Sequence, residues 1–298
     1  MPPHIPIMPA EVVHFLRPTR GELAVDCTLG GGGHARAILE CITPGGRLIG
    51  LDVDRRAVEA TARALRSEGY DGATFAGHHS SFTTVQDVLA RESISGADLM
   101  LADLGVSSMQ ADDAARGFHY KVPGPLDMRL NAETGETAAA FLTRVTEDHL
   151  AALLVENADE PHAALIASII TRQPPATTQA LERAVRTGLT AAYPALPRPA
   201  IKMSVRRTFQ AIRIAVNDEF RALDTFLAAL PLVLNRGGRV VILTFHSGED
   251  RRVKHAFRDG FRHGVYSDIA RSVTRSTMAE TRANRRSSSA KLRWAVRT

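Results

Sequence analysis

Four glycines in succession, Gly30–Gly33, follow the apolar run Leu23-Ala24-Val25 and the acid Asp26, and lead into the helical period of ARAILECI. A backbone stripped of Cβ atoms can take positive φ and let a ligand lie directly against it, which places this turn at the ligand end of a βα unit. The following residues repeat the alternation. Strands are predicted at Leu23–Asp26, Arg47–Asp52, Ala73–Ala76 and Asp98–Asp103, and helices at His34–Ile42, Arg55–Arg66 and Thr83–Arg91. Short apolar strands separated by amphipathic helices predict a parallel, doubly wound α/β sheet.

From about Asp112 the period becomes helical, as in EDHLAALLVENA and HAALIASIITRQ, and stays so to Ser204. No strand is evident until Arg239–Phe245, and KLRWAVR closes the sequence with strand-like alternation. The expected organisation is a discontinuous α/β domain, 1–111 and 205–298, carrying an inserted helical domain, 112–204. The proline-rich connector AAYPALPRPA marks the end of the insert. No apolar run approaches the length of a membrane span, and the start, MPPHIPIMPA, lacks the basic and apolar regions of a signal peptide. Two cysteines, Cys27 and Cys41, offer neither a disulfide framework nor a CxxC zinc pair, so a soluble cytoplasmic protein is expected. Charge is uneven. Residues from Arg251 onward carry 13 Lys/Arg against 3 Asp/Glu, leaving 1–250 net acidic in a chain of +5. A basic end of this kind suits a polyanion, its plainer reading being a solvated surface.

Gly30, Gly32 and Ala35 satisfy GxGxxG/A, which alone is weak evidence for a dinucleotide. The acids discriminate. Asp26, Asp52 and Asp103 end the first, second and fourth predicted strands, so in a doubly wound sheet all three face the crevice. A pyrophosphate would add negative charge to that cluster, which disfavours a nicotinamide enzyme. S-adenosyl-L-methionine brings a sulfonium, an ammonium and a ribose diol, and its one carboxylate can be taken by loop amides. Asp52, about 20 residues past the last glycine, is placed for the ribose hydroxyls. For any single acid the competing role is a helix N-cap, foremost for Asp54 and also for Asp52.

The segments DLGVSS, RGF and GPLDMR, with the glycine loop, RRTFQAIRIAVNDEF, TFHSGEDRRVKHAF and NRRSSSAKLRWAVR, resemble the bacterial 16S ribosomal RNA cytosine-N4 methyltransferases, the RsmH or MraW family. The resemblance spans nearly the whole chain. It implies a class I S-adenosylmethionine-dependent methyltransferase, Rossmann-like, with an inserted helical substrate-recognition domain. It also implies N4-methylation of a cytosine in the decoding region of 16S rRNA. By motif, cofactor contacts fall on Gly32, Gly33, His34, Asp52, Phe82, Asp103 and Gln110. Without the family, His34 reads as a surface histidine capping its helix. Two stretches depart from the pattern. Ala158, Ala164 and Leu165 stand where the family has glycine and basic residues, and Met203-Ser204-Val205 stands for His-Pro-Ala. Both lie where substrate should be read, so redirection to another RNA base, or a non-catalytic S-adenosylmethionine-binding RNA-binding protein, stays open.

Asp103 is the expected catalytic group. It would accept a hydrogen bond from the poorly nucleophilic amine and take its proton, while positioning supplies much of the barrier reduction. C5 chemistry would need a cysteine at that strand end, and none is there. No metal is expected. Substrate contacts are expected from Arg206 and Arg207 to phosphate, with Phe209 and Ile212 in the core, and from Arg285 and Lys291 in the basic end. His246, Ser247 and Asp250 either shape the base pocket or cap the following helix, with Ser247 as N-cap and Asp250 at N3. The expected partners are 16S rRNA and the small ribosomal subunit, with no membrane; a homodimer stays open.

Overall fold

The structure, a computed structural model, describes residues 6–298, so half of the MPPHIPIMPA start, read above as no signal peptide, lies outside the described residues. The chain divides into two compact units: residues up to Gly105 together with Arg221–Thr298, and Val106–Phe220.

The first unit follows the predicted alternation. Helix α1 (Pro9–Leu16) precedes β1 (Leu23–Asp26), α2 (Gly33–Ile42), β2 (Arg47–Asp52), α3 (Arg55–Ser67), β3 (Phe75–His79), α4 (Val85–Arg91) and β4 (Ala97–Asp103). In the second unit lie α5 (Ser108–Asp112), α6 (Ala138–Arg144), α7 (Glu147–Ala158), α8 (Ala163–Arg172), α9 (Thr178–Ala192) and α10 (Arg198–Asn217). The chain then runs through α11 (Glu219–Val233), β5 (Leu234–Thr244), α12 (Ser247–Arg262), β6 (Tyr266–Ile269), β7 (Thr274–Arg275), α13 (Met278–Ala283) and β8 (Lys291–Arg297).

The sheet order is β3-β2-β1-β4-β5-β8-β6, with β7 paired to β8. The strands from β3 to β5 are parallel, and β8 runs antiparallel between β5 and β6. Alternate residues feed opposite faces. Ala24, Leu48, Leu99 and Val241 pack with α1, α2 and α3, while Val25, Ile49, Met100 and Val240 pack with α4, α11 and α12. Both faces are covered, which is why these strands read as near-continuous apolar runs. This is a doubly wound, mostly parallel sheet with one antiparallel strand set between β5 and β6.

The second unit is helical and has its own core, including Leu142, Leu154, Ile166, Val185, Phe209 and Ile212. Its ends differ from the expected 112 and 204. It begins where β4 has ended, and α10 runs unbroken through Ser204, because Ile201, Val205, Phe209 and Ile212 form one buried stripe at helical spacing. Among the described residues no helix is long and apolar enough to cross a membrane.

Candidate functional site

β1, β2 and β4 end at Asp26, Asp52 and Asp103, so one edge of the sheet gathers all three acids. β1 is flanked by β2 and β4. The winding reverses there, and an open α/β sheet leaves its crevice at such a switch point.

The glycine loop is held by named contacts. Asp52 Oδ2 accepts the Gly30 amide and Oδ1 accepts the Asp54 amide, both at 2.8 Å. Thr61 Oγ1 donates to the Gly30 carbonyl at 2.6 Å, and Arg36 Nη1 to the Gly31 carbonyl at 3.0 Å. Gly32 sits at φ 74°, and a Cβ there would stand 2.5 Å from Thr61 Cγ2; one on Gly33 would stand 3.0 Å from the Pro6 ring. Packing of the chain on itself therefore favours glycine strongly at Gly32 and leaves a side chain at Gly33 little room, quite apart from any ligand. Asp54 caps α3, as its plainer reading had it, accepting the Arg56 amide.

Asp26 is 1 % exposed. Its Oδ1 accepts the Thr28 amide at 3.1 Å, and Oδ2 has no hydrogen-bond partner. Burial pushes its pKa up to about 6, against the pull of His34 and the Thr28 amide and with the added push of Asp103 and Asp52. Burial likewise raises Asp52, against its two amide donors. The Asp103 amide donates to Thr28 Oγ1 at 2.7 Å, tying the exit of β1 to the end of β4. His34, in the first turn of α2, is 7 % exposed, so it is no surface histidine; its Nε2 lies 3.5 Å from Asp103 Oδ2. That separation is an ion pair, longer than a well-formed hydrogen bond. Burial draws the imidazole pKa down, but Asp103, Asp26 and Glu280 outweigh it and hold the value above that of ordinary imidazole. Asp103 Oδ1 is buried and has no hydrogen-bond partner.

One buried carboxylate and two half-buried ones, with Asp26 Oδ2 and Asp103 Oδ1 both buried and unpartnered, suit a cationic ligand, since an uncompensated buried anion is costly. The donor set fits the sulfonium and ammonium of S-adenosylmethionine and would repel a pyrophosphate. Phe82 belongs to the same region. The Ser80 amide donates to the Asp52 carbonyl at 2.9 Å, and the Phe82 ring, half-buried, leans on Phe226 with centroids 5.3 Å apart.

Other expected residues lie elsewhere. Gln110 belongs to the second unit. It completes a capping box with Ser107, and its amide nitrogen donates to the Leu130 carbonyl at 3.3 Å. On α10, Arg206 is exposed and Arg207 half-buried, while Phe209 and Ile212 are core as expected. At the start of α12 the expected cap is displaced by one residue. His246 is the N-cap and Glu249 the N3 partner, in place of Ser247 and Asp250. Glu249 is buried and can answer both the Phe245 and His246 amides. Asp250 is taken by Arg293 at 2.7 Å, with Lys291 4.0 Å away, so Lys291 is partly neutralised within the protein. Arg285 is exposed beyond α13, and β7 pairs with the first residues of β8, beside the end of β5. Sequence reasoning missed Thr28 and Glu280, for which no local pattern gives a signal.

A sequence model described as the MraW methylase family matches residues 1–298. The chain is 42% identical over 299 residues to "Ribosomal RNA small subunit methyltransferase H 1" of Agathobacter rectalis, covering 99% of this chain and 85% of that one. It is 45% identical over 259 residues to "Ribosomal RNA small subunit methyltransferase H" of Anaeromyxobacter sp., covering 86% and 80%. Among solved structures, an rRNA methylase from Streptococcus thermophilus aligns with TM-score 0.43 and 9% identity over 97% of this chain and 93% of that one.

Proposed function

This chain belongs to the MraW methylase family, and from that membership we propose that it is an S-adenosylmethionine-dependent methyltransferase acting on RNA of the small ribosomal subunit. The acceptor is the N4 amine of a cytosine in the decoding region of 16S rRNA, and the reaction takes place in the cytoplasm. The observation that carries the reading is Asp103, at the switch-point strand end, with a buried Oδ1 that no protein donor satisfies.

S-adenosylmethionine, when bound, supplies a methyl group made electrophilic by its sulfonium. The glycine loop with Gly32, Gly33 and His34 lines the cofactor side, Asp52 uses its remaining lone pairs on the ribose hydroxyls, and Phe82 offers a ring face to the adenine. Gln110, a further proposed cofactor contact, also supports the start of the second unit, its Oε1 accepting the Ser107 amide and its Nε2 donating to the Leu130 carbonyl. Asp103 Oδ1 accepts a hydrogen bond from the cytosine amine. That bond draws the nitrogen lone pair out of ring conjugation, and the carboxylate takes the proton that the amine sheds. The base must leave any stack to reach this strand end, and the second unit is proposed to grip the flanking RNA, with Arg206 and Arg207 on phosphate.

Part of the departure from the family pattern is internal to the second unit. Ser204 Oγ donates to Glu160 Oε1 at 2.9 Å, and Gln210 Nε2 to the Asn157 carbonyl at 3.1 Å. Leu165 packs on the second unit's core. Ala164 and Met203, by contrast, are exposed, and they are the departures that could still alter how RNA is read. The test is methyl transfer to small subunits lacking the methyl group, with the modified base mapped. Asp103→Ala should lower turnover by about 10²–10⁴-fold at saturating cofactor; near-normal turnover, or methyl on another base, overturns the assignment.

A further inference from the structure

We propose that His34 is a positioning residue for methyl transfer, holding Asp103 Oδ2 so that Oδ1 faces the acceptor amine. The proposal rests on the reading of Asp103 given above.

The geometry leaves the imidazole little else to do. His34 is fixed in the first turn of α2, whose buried face continues through Ile38 and Ile42. The preceding residue, Gly33, lies close to the Pro6 ring. Neither ring nitrogen has a hydrogen-bond partner, and the closest opposite charge is Asp103 Oδ2 at 3.5 Å. Three elements present anions to the ring: Asp103 on β4, Asp26 on β1 and Glu280 on α13, with Asp52 acting in turn on Asp26. Together they favour the imidazolium despite burial. Asp103 is thus held twice from the cofactor loop, its amide by Thr28 and its carboxylate by His34. The loop that receives the methyl donor also aims the group that receives the proton. A carboxylate misplaced by about 1 Å can cost about 10²-fold in rate.

The experiment compares wild type, His34→Ala, His34→Gln and Asp103→Asn. It reads cofactor affinity by calorimetry, kcat and KM on unmethylated small subunits, and the pH dependence of kcat. His34→Ala should lower kcat at saturating cofactor by about 10²-fold, a loss beyond any weakening of cofactor binding, with subunit KM within about twofold. His34→Gln, whose amide can still donate to Oδ2, should recover part of the loss. The imidazolium exists below its raised pKa and is lost as pH rises through it. Wild-type kcat should therefore fall on that alkaline side, and the fall should be missing from His34→Gln. Weakened cofactor binding with unchanged kcat would make His34 a cofactor ligand and overturn the proposal. So would a His34→Gln variant no better than His34→Ala with the wild-type pH profile. If His34→Ala does not fold, His34→Gln carries the comparison through its pH profile. Full turnover by Asp103→Asn would instead sink the Asp103 reading itself, which keeps the two failures distinct.

Discussion

Asp26 works against the stability of the empty fold. Its pKa is about 6 in the folded chain against an ordinary 3.8, so the neutral carboxyl is the form the fold prefers. Stability is lost as pH rises from about 4 to 6 and the group must ionise while buried; two pKa units correspond to about 3 kcal/mol. Asp26→Asn should therefore stabilise the ligand-free protein at pH 7.5 by up to about 3 kcal/mol, less the attraction to His34 that is given up. Near pH 4 it should make no difference. Urea unfolding at both values checks this, and equal midpoints at both would refute the buried-charge account. The same variant should weaken S-adenosylmethionine, as expected where a site keeps an unsatisfied anion for a cationic ligand. At this scale the three acids were legible because each ends an apolar run. The burial of His34 was also written in the spacing, since His34, Ile38 and Ile42 share one helical face; treating it as a cap overlooked that. Thr28 and Glu280 could not be read, because each meets its partner only through tertiary folding.

Among the elements, the glycine loop permits the sharpest test. Gly32→Ala forces a Cβ onto a residue at φ 74° and toward Thr61 Cγ2. A positive φ costs alanine about 1–2 kcal/mol, and the contact adds to it. Thermal unfolding should show a loss of about 2 kcal/mol, and adding Thr61→Ser should return part of it, because serine keeps the hydroxyl on the Gly30 carbonyl and removes the methyl. No recovery in the double variant would place the cost in the backbone alone. The basic end makes a separate prediction. Arg282 and Arg285 are exposed and in no ion pair among the described residues, whereas Lys291 is drawn to Asp250. Neutralising the two arginines should lower the log–log salt slope of RNA binding by about 0.7–0.9 per lost phosphate contact. Neutralising Lys291 should change it less, and cofactor affinity should not move in either case. Element limits were readable where apolar periods were clean: β1, β2, α7 and β8 fall where the residues predict. β3 was expected at Ala73–Ala76 and lies at Phe75–His79, since His78 and His79 look like loop and pair with β2 regardless. β6, YSDI, offers no apolar alternation and exists because β8 supplies its hydrogen bonds.

At the scale of the molecule, two compact units divide the labour. The sheet unit carries the acids and the glycine loop, and the helical unit carries the residues that depart from the family pattern. Glu160 in that second unit is 2 % exposed; one oxygen accepts Ser204 Oγ at 2.9 Å and the other has no partner. Ser204→Ala would remove the bond and leave more of a buried carboxylate unsatisfied, at about 1–3 kcal/mol. Differential unfolding should register that loss, while the methylated position and cofactor affinity stay as in wild type. A changed target base would show that the pair reads substrate after all. The boundary of this unit was the least legible feature. The proline-rich connector precedes α10, yet α10 spends its apolar stripe on the helical core, and no residue at 204 announces that the chain has still to run on to Phe220.

The place of β8 between β5 and β6 has a consequence for biosynthesis. Every other strand of the sheet is translated before it, so while residues 245–290 emerge, β5 presents a bare hydrogen-bonding edge and β6 has no neighbour to join. Such edges invite mispairing with other chains. A premature stop ahead of Lys291 would leave the glycine loop and all three acids in place, yet release a product that quality control should recognise and degrade. A synthetic peptide of residues 291–297 should, conversely, rescue that truncated chain by occupying the gap as a supplied strand.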